Sequence, residues 1–301
     1  MRARTFAQLP AFEFVDRLGK GAHAVIYLAV ERSTRSKFAI KHIVRRKAED
    51  DRFLEQAQTE YEVARQFEHP YLRRCFDIVR VRKWLRTQEL FLTMEYAEGE
   101  TLESHCPVSM DGIVALFAKV AEGLGALHKL GYAHADMKPN NIILTRDGGL
   151  KIIDFGQSCP LGTRKTRVQG TPDYMAPEQV WRREIDQRTD VFNLGATMYW
   201  VVTGKSFRTQ MQTAPTGSKM IELEARVDNA PPHELNPRVP IALSRLISEC
   251  VETSPDRRPR DMRDVVSRLE TIQLLLAKRA AAADRGADAD AGPAAPQRGR
   301  P

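Results

Sequence analysis

Between positions 12 and 96, apolar and polar residues alternate in short runs, the period-two pattern of half-buried strands, and one helical stretch interrupts them. Within that stretch Phe53, Ala57, Ala64 and Phe67 form a narrow apolar stripe. From about 102 to 276 the spacing changes to three and four. Ile113, Leu116, Phe117, Val120, Leu124 and Leu127 predict a buried amphipathic helix there. Strands followed by helices predict an α+β chain in two lobes, an N-lobe over 12–97 and a C-lobe over 98–275, with a ligand-accepting cleft between them. Residues 1–11 read as an N-terminal extension. Beyond Lys278 the chain turns to Ala, Arg, Gly and Pro, which cannot bury a core, so 276–301 is expected to be a disordered tail.

Composition narrows the setting. The chain has 301 residues, 42% apolar and 28% charged, as a soluble globular protein has. No apolar run approaches the roughly 20 residues of a membrane helix, and the N-terminus lacks the apolar centre of a signal peptide, so a cytoplasmic protein without membrane contact is expected. Cys75, Cys106, Cys159 and Cys250 lie far apart without a C-x-x-C pair, which argues against a disulfide framework or a zinc site. The net charge of +7 comes from basic residues scattered among acidic ones, which predicts a solvated surface and no nucleic-acid partner.

Three segments carry candidate chemistry. L-G-K-G-A-H-A-V-I-Y, from Leu18, sets two glycines between strand-like runs. It reads equally as a hairpin turn or as a backbone that can approach phosphate closely. A G-K-S/T loop is absent, and V-I-Y-L-A-V after it reads as strand, against a dinucleotide fold. In F-A-I-K-H-I, Ala39, Lys41 and Ile43 share one strand face, so Lys41 is a charge on an apolar ridge. Glu60 lies between Ala57 and Ala64 on the inward helix face and needs a counter-charge there; Lys41 is the candidate. In N-N-I-I-L-T-R-D-G-G-L-K-I-I-D-F-G, two apolar runs around T-R-D-G-G predict a β-hairpin. Its open end brings Asn141 beside Asp154, oxygen ligands suited to Mg²⁺ held together with substrate phosphates. Asp136 and Lys138 sit just upstream.

Taken in order, the Gly-rich loop, A-I-K, Glu60, H-A-D-M-K-P-N-N, D-F-G and A-P-E resemble the eukaryotic-type serine/threonine protein kinases, bacterial members included, over about 12–275. The resemblance implies the bilobal protein-kinase-like fold, ATP and Mg²⁺ (or Mn²⁺) as cofactors, and transfer of the γ-phosphoryl group to protein Ser/Thr hydroxyls, with autophosphorylation. It implies that Gly19, Gly21 and Ala24 cover the phosphates and that Lys41 holds them while paired with Glu60. It makes Asp136 the proton acceptor, sets Lys138 near the γ-phosphate and makes Asn141 and Asp154 the metal ligands. Met94 becomes the gatekeeper beside adenine, Glu95 and Ala97 offer backbone hydrogen bonds to the base, and Leu18, Ile26, Ala39 and Ile143 sandwich it. Glu178 is implied to pair with Arg258, and Asp190 to brace the catalytic loop. Lys138 and Thr171 both resemble the serine/threonine class.

The chain departs from the family in two places. Ala24 replaces the third glycine, and Ala135 replaces the arginine that usually receives activation-segment phosphate. Dependence on phosphorylation of Thr163 or Thr166 through that arginine is therefore not expected. Cys159, just past D-F-G, is read as a small core or loop residue rather than an oxidant sensor. Activation is left to a partner or to transient homodimer formation. The alternative function is a pseudokinase scaffold that binds nucleotide or partner without turnover; retention of Lys41, Asp136, Asn141 and Asp154 argues against it.

Overall fold

A computed structural model describes residues 8–21, 23–106, 109–208 and 229–290. Residues 1–7 of the expected extension and 291–301 of the expected tail lie outside the described residues. Five antiparallel strands make the N-lobe sheet: β1 (Phe12–Lys20), β2 (Ala24–Glu31), β3 (Lys37–Val44), β4 (Cys75–Lys83) and β5 (Arg86–Glu95), in the order β1-β2-β3-β5-β4. Helix α1 (Asp51–Ala64) crosses one face of it.

Pleating sorts the strand residues onto two faces. Ala39, Ile43, Leu90, Leu92 and Met94 join the main core with Ala57, Val63 and Ala64 of α1. Ile40, Phe91 and Ala29 face the other way, where Leu9 of the N-terminal extension caps them. Lys41 thus lies on the α1 side, as its place between Ala39 and Ile43 requires.

The C-lobe is built on α2 (Met110–Lys129), α3 (Gln187–Thr203), α4 (Ile241–Cys250) and α5 (Met262–Asp290), with a three-stranded sheet β6-β7-β8 (Gly99–Thr101, Ile142–Thr145, Leu150–Ile152) facing the cleft. Ser109 caps α2 by accepting from the Gly112 amide at 3.1 Å, and Asp186 caps α3 by accepting from the Arg188 amide at 2.7 Å. The six apolar stripe residues of α2 are all buried. In α3 most residues are buried around the whole helix, so it is the central helix of the lobe.

The expected tail is corrected over its first part, because α5 continues to Asp290. Alanine is the strongest helix former, and K-R-A-A-A-A-D-R extends a helix already anchored by buried Val265, Leu269 and Ile272. No described helix is long and apolar enough to cross a membrane.

Cys75, Cys159 and Cys250 are buried, and only Cys106 is partly accessible. Burial pushes all four thiols up, Cys250 to about 12. The core reading of Cys159 therefore holds, since it packs with Ala133, Ala135 and Ile185. Native protein at pH 8 should react with Ellman's reagent at Cys106 alone within minutes, and at all four cysteines after denaturation. Rapid labelling of Cys159 in the folded chain would contradict this packing.

Candidate active site

Strand β3 delivers Lys41 to the cleft, and α1 delivers Glu60. Their side chains meet at 2.7 Å, Lys41 Nζ donating to Glu60 Oε2, with Glu60 fully buried. Lys41 Nζ also lies 3.6 Å from Asp154 Oδ1. Burial works against the Lys41 charge, but Glu60 and Asp154 together outweigh it and hold the ammonium well above the ordinary lysine range. In turn Lys41 is the main cause that lowers the Asp154 carboxyl to about 2, so Asp154 is ionised at any working pH.

The predicted hairpin forms, with Ile142 opposite Ile152 and Leu144 opposite Leu150. At its open end the Ile153 amide donates to the Asn141 carbonyl at 2.9 Å, which sets Asn141 beside the segment that turns into Asp154. Asp154 has φ +65°, a left-handed conformation unusual outside glycine. The chain then tucks Phe155 into the core between Phe67 and His134, at ring centroid distances of 5.1 and 5.3 Å.

Catalytic-loop residues 134–141 are held from below. Asp190 of α3 accepts from the amides of His134 (2.8 Å) and Ala135 (2.7 Å) and from His128 Nε2 (2.8 Å). Ala135 also has positive φ, +60°, and Gln179 Nε2 donates to its carbonyl at 2.8 Å. Asp136 then projects into the cleft. Lys138 Nζ donates to Asp136 Oδ2 at 3.0 Å and to Thr171 Oγ1 at 2.7 Å, while Thr171 Oγ1 donates to Asp136 Oδ1 at 2.9 Å. A carboxylate has about four acceptor positions, so Asp136 can accept a further proton donor. Asn141 Nδ2 donates to the Asp136 carbonyl at 2.8 Å, which leaves the amide oxygen of Asn141 for a ligand.

Lys41, Asp136 and Asp154 line one cavity of about 210 Å³, together with Gly21 and Ala24 of the Gly-rich turn. The turn is pinned over this cavity, because His23 stacks on Phe53 of α1 at 3.8 Å and its Nδ1 lies 3.4 Å from Asp50 Oδ1. Gly19 and Leu18 sit further back on β1, with Gly19 opposite Ile26 and Leu18 largely exposed. Ile26 lies opposite Lys41 across β2 and β3. Met94 is fully buried opposite Ala39, at the back of the cleft. Ile143 is half-buried on β7, and Ala97 follows β5 in the connection to the C-lobe. The Glu95 amide donates to the Arg74 carbonyl, so a base could use only the carbonyl of that residue. The Glu95 side chain is tied across the lobe boundary to Lys151 at 2.7 Å.

A divalent cation fits the donor set. Among the described residues no group of three or more His, Cys, Asp or Glu side chains is placed to hold a metal ion by itself. One ionised carboxylate and one amide oxygen suit Mg²⁺, which keeps waters and takes its remaining ligands from phosphate.

Three side chains here were not singled out in the sequence. Arg73 is buried and donates from Nη2 to Glu60 Oε1 at 2.9 Å. Lys165, half-buried in the activation segment, donates to the Gln157 carbonyl at 2.5 Å, and burial lowers its pKa. Gln179 also accepts at Oε1 from the Ala176 amide, so it joins the A-P-E segment to the catalytic loop. None of the three left a signal in the sequence: Arg73 sits beside Arg74 between Leu72 and Cys75, and nothing there separates the two.

Comparison with known proteins gives a consistent picture. The family model described as protein kinase domain matches residues 12–268. A probable serine/threonine-protein kinase of Clostridium acetobutylicum is 27% identical over 270 residues, covering 87% of this chain and 40% of the relative. The serine/threonine-protein kinase cds1 of Schizosaccharomyces pombe is 30% identical over 269 residues, covering 82% and 55%. The probable serine/threonine-protein kinase PkwA of Thermomonospora curvata is 32% identical over 259 residues, covering 82% and 32%. The chain thus spans roughly a third to just over half the length of these relatives.

Proposed function

Since the chain belongs to the protein kinase family, we propose that it transfers the γ-phosphoryl group of ATP to serine or threonine hydroxyls of proteins, itself included. The observation that carries this reading is the meeting of Lys41, Asp136 and Asp154 on one cavity, with Lys138 bonded to Asp136. Lys41 binds the α- and β-phosphates and Lys138 the γ-phosphate. Asp136 orients the acceptor hydroxyl and takes its proton as the new O–P bond forms. The bond between the γ-phosphorus and the β,γ-bridging oxygen breaks, and its electrons leave with ADP. Asn141 and Asp154 hold Mg²⁺ or Mn²⁺, which neutralises phosphate charge when bound. The remaining contribution is positioning: bonds from Lys138 and Thr171 fix the Asp136 carboxylate, and Asp190 fixes the loop beneath it.

Met94, Ala39, Ile26, Leu18 and Ile143 form the adenine slot, with the Glu95 carbonyl and Ala97 amide facing the base. Gly19, Gly21 and Ala24 cover the phosphates. The free cysteines support a reducing, cytoplasmic setting. The test is mass spectrometry after incubation with ATP, Mg²⁺ and a generic basic protein. Phosphoserine or phosphothreonine on that protein is the expected result, and its absence under all divalent-metal conditions would sink the reading.

Activation-segment phosphate is dispensable in this reading. Ala135 is sealed against Ala133, Cys159 and Ile185 and offers no cation, while Lys165 already ties the segment to Gln157. Replacing Thr163 and Thr166 with alanine should therefore leave kcat within about threefold of wild type in a steady-state assay. Abolished turnover would show that a phosphate is needed after all.

A further inference from the structure

Glu60 has two cationic partners, one on each oxygen. Lys41 Nζ takes Oε2 at 2.7 Å and Arg73 Nη2 takes Oε1 at 2.9 Å. All three side chains are shielded, with exposures of 0% for Glu60, 6% for Arg73 and 18% for Lys41. Arg73 Nε finds no partner among the described residues. A buried guanidinium with an unfilled donor is costly to keep, so the contact with Glu60 is what retains it.

Arg73 is also fixed at its backbone. Its amide donates to the Ile152 carbonyl at 3.0 Å, and Leu72 bridges Ile152 in parallel register. Ile152 ends β8, two residues before Asp154. One residue therefore joins α1, through its side chain, to the strand that leads into Asp154, through its backbone.

A lysine that serves phosphate and also balances a buried glutamate has two competing tasks. When phosphate draws Lys41 away, a glutamate with no second partner is left as an uncompensated buried charge, and its helix is free to leave. With Arg73 present the cluster holds two cations, Lys41 and Arg73, against two carboxylates, Glu60 and Asp154. Arginine does not deprotonate at any working pH, so the second pairing persists.

We propose that Arg73 is a positioning residue that keeps Glu60, and with it α1, seated over the nucleotide site whether or not Lys41 is engaged with phosphate. The assembled arrangement is then the resting one, set by a fixed side chain. This fits a chain in which Ala135 cannot receive an activating phosphate, and it rests on the phosphotransfer reading for its functional meaning.

The test is amide hydrogen exchange over 51–64 in the full chain without nucleotide, for wild type, Lys41→Met, Arg73→Met and the double variant, with steady-state kinetics on wild type, Arg73→Met and Arg73→Lys. Lys41→Met should leave α1 exchange within about twofold of wild type, because Arg73 still balances Glu60. Without nucleotide Lys41 still pairs with Glu60, so Arg73→Met alone should also leave α1 exchange within about twofold. In turnover, when phosphate draws Lys41 away, it should lower kcat by about tenfold with a smaller change in KM for ATP, and Arg73→Lys should recover most of that loss. In the double variant α1 should open by more than the two single effects combined, the coupling a merely structural residue would not give.

If Lys41→Met alone frees α1 as far as the double variant, Arg73 does not hold Glu60 and the inference falls. If the variants carrying Arg73→Met fail to fold, Lys41→Met against wild type decides the matter, because it keeps the Glu60–Arg73 pair: α1 exchange speeded by more than about tenfold there would overturn the inference. An inactive wild type with the expected exchange pattern would remove the phosphotransfer reading and leave the seat. An active wild type with the opposite pattern would remove only the seat.

Discussion

Asp136→Asn should lower kcat by about a thousandfold, with KM for ATP shifted by no more than about threefold. Asparagine keeps the shape of the side chain, and its amide oxygen can still accept from Thr171 Oγ1, which lies 2.9 Å away in the native chain. It cannot take a proton from the acceptor hydroxyl. It also turns an N–H toward Lys138 Nζ, so the ion pair at 3.0 Å is lost and Lys138 loses its anchor beside the transferring group. Asp136 is 92% shielded, yet neither effect touches the apolar core, so the thermal midpoint should move little. Phosphate transfer to a basic protein, followed by mass spectrometry, separates the outcomes. A kcat within tenfold of wild type would mean that the proton leaves by another route and that Asp136 serves only to orient the hydroxyl.

Arg258→Met should cost about 3–5 kcal/mol of folding stability, the range for removing one partner of a buried ion pair. The Arg258 guanidinium meets Glu178 along both arms, Nη1 to Oε1 at 2.7 Å and Nη2 to Oε2 at 2.9 Å. Their side chains are 0% and 6% exposed. The same guanidinium donates to the carbonyls of Arg188, Glu252 and Thr253, and Thr189 Oγ1 donates to Glu178. Methionine fills much of the volume but takes the guanidinium away from three carbonyls and from the Glu178 carboxylate, which keeps Thr189 Oγ1 but loses its counter-charge. Combining Arg258→Met with Glu178→Leu should recover a good part of the loss, because the orphaned charge goes too. Urea unfolding of the two single variants and the double variant measures this coupling. A loss below about 1 kcal/mol for Arg258→Met would show that water reaches the pair and screens it.

The sequence made the site legible where its geometry is local. Side-chain alternation alone sets Lys41 with Ala39 and Ile43, and helical spacing alone turns Glu60 inward, so their pairing followed. The hairpin around D-G-G likewise brings Asn141 to Asp154 through the pairing of Ile142 with Ile152. Arg73 escaped because its role depends on a partner in another element and on which side of the sheet buries it. In sequence, L-R-R-C-F offers two adjacent arginines with nothing to separate them. In the fold, Arg73 is buried while Arg74 reaches Glu68 near the surface. Lys165 and Gln179 were hidden for a similar reason, since each bonds a backbone carbonyl, and main-chain acceptors leave no mark on residue identity. The continuation of α5 to Asp290 was missed because low apolar content rules out a core but not an exposed alanine-rich helix.

The bridge between Glu95 and Lys151 bears on how the halves breathe. It fastens the last residue of the upper sheet to the hairpin below, yet the two side chains remain 32% and 17% exposed. Gaping of the cleft has to part these opposite charges, but water is at hand to receive them, and such pairs hold by only about 0–1 kcal/mol. It is a latch rather than a weld. In the phosphotransfer reading, a tie this light would let the two sides part for spent nucleotide to leave.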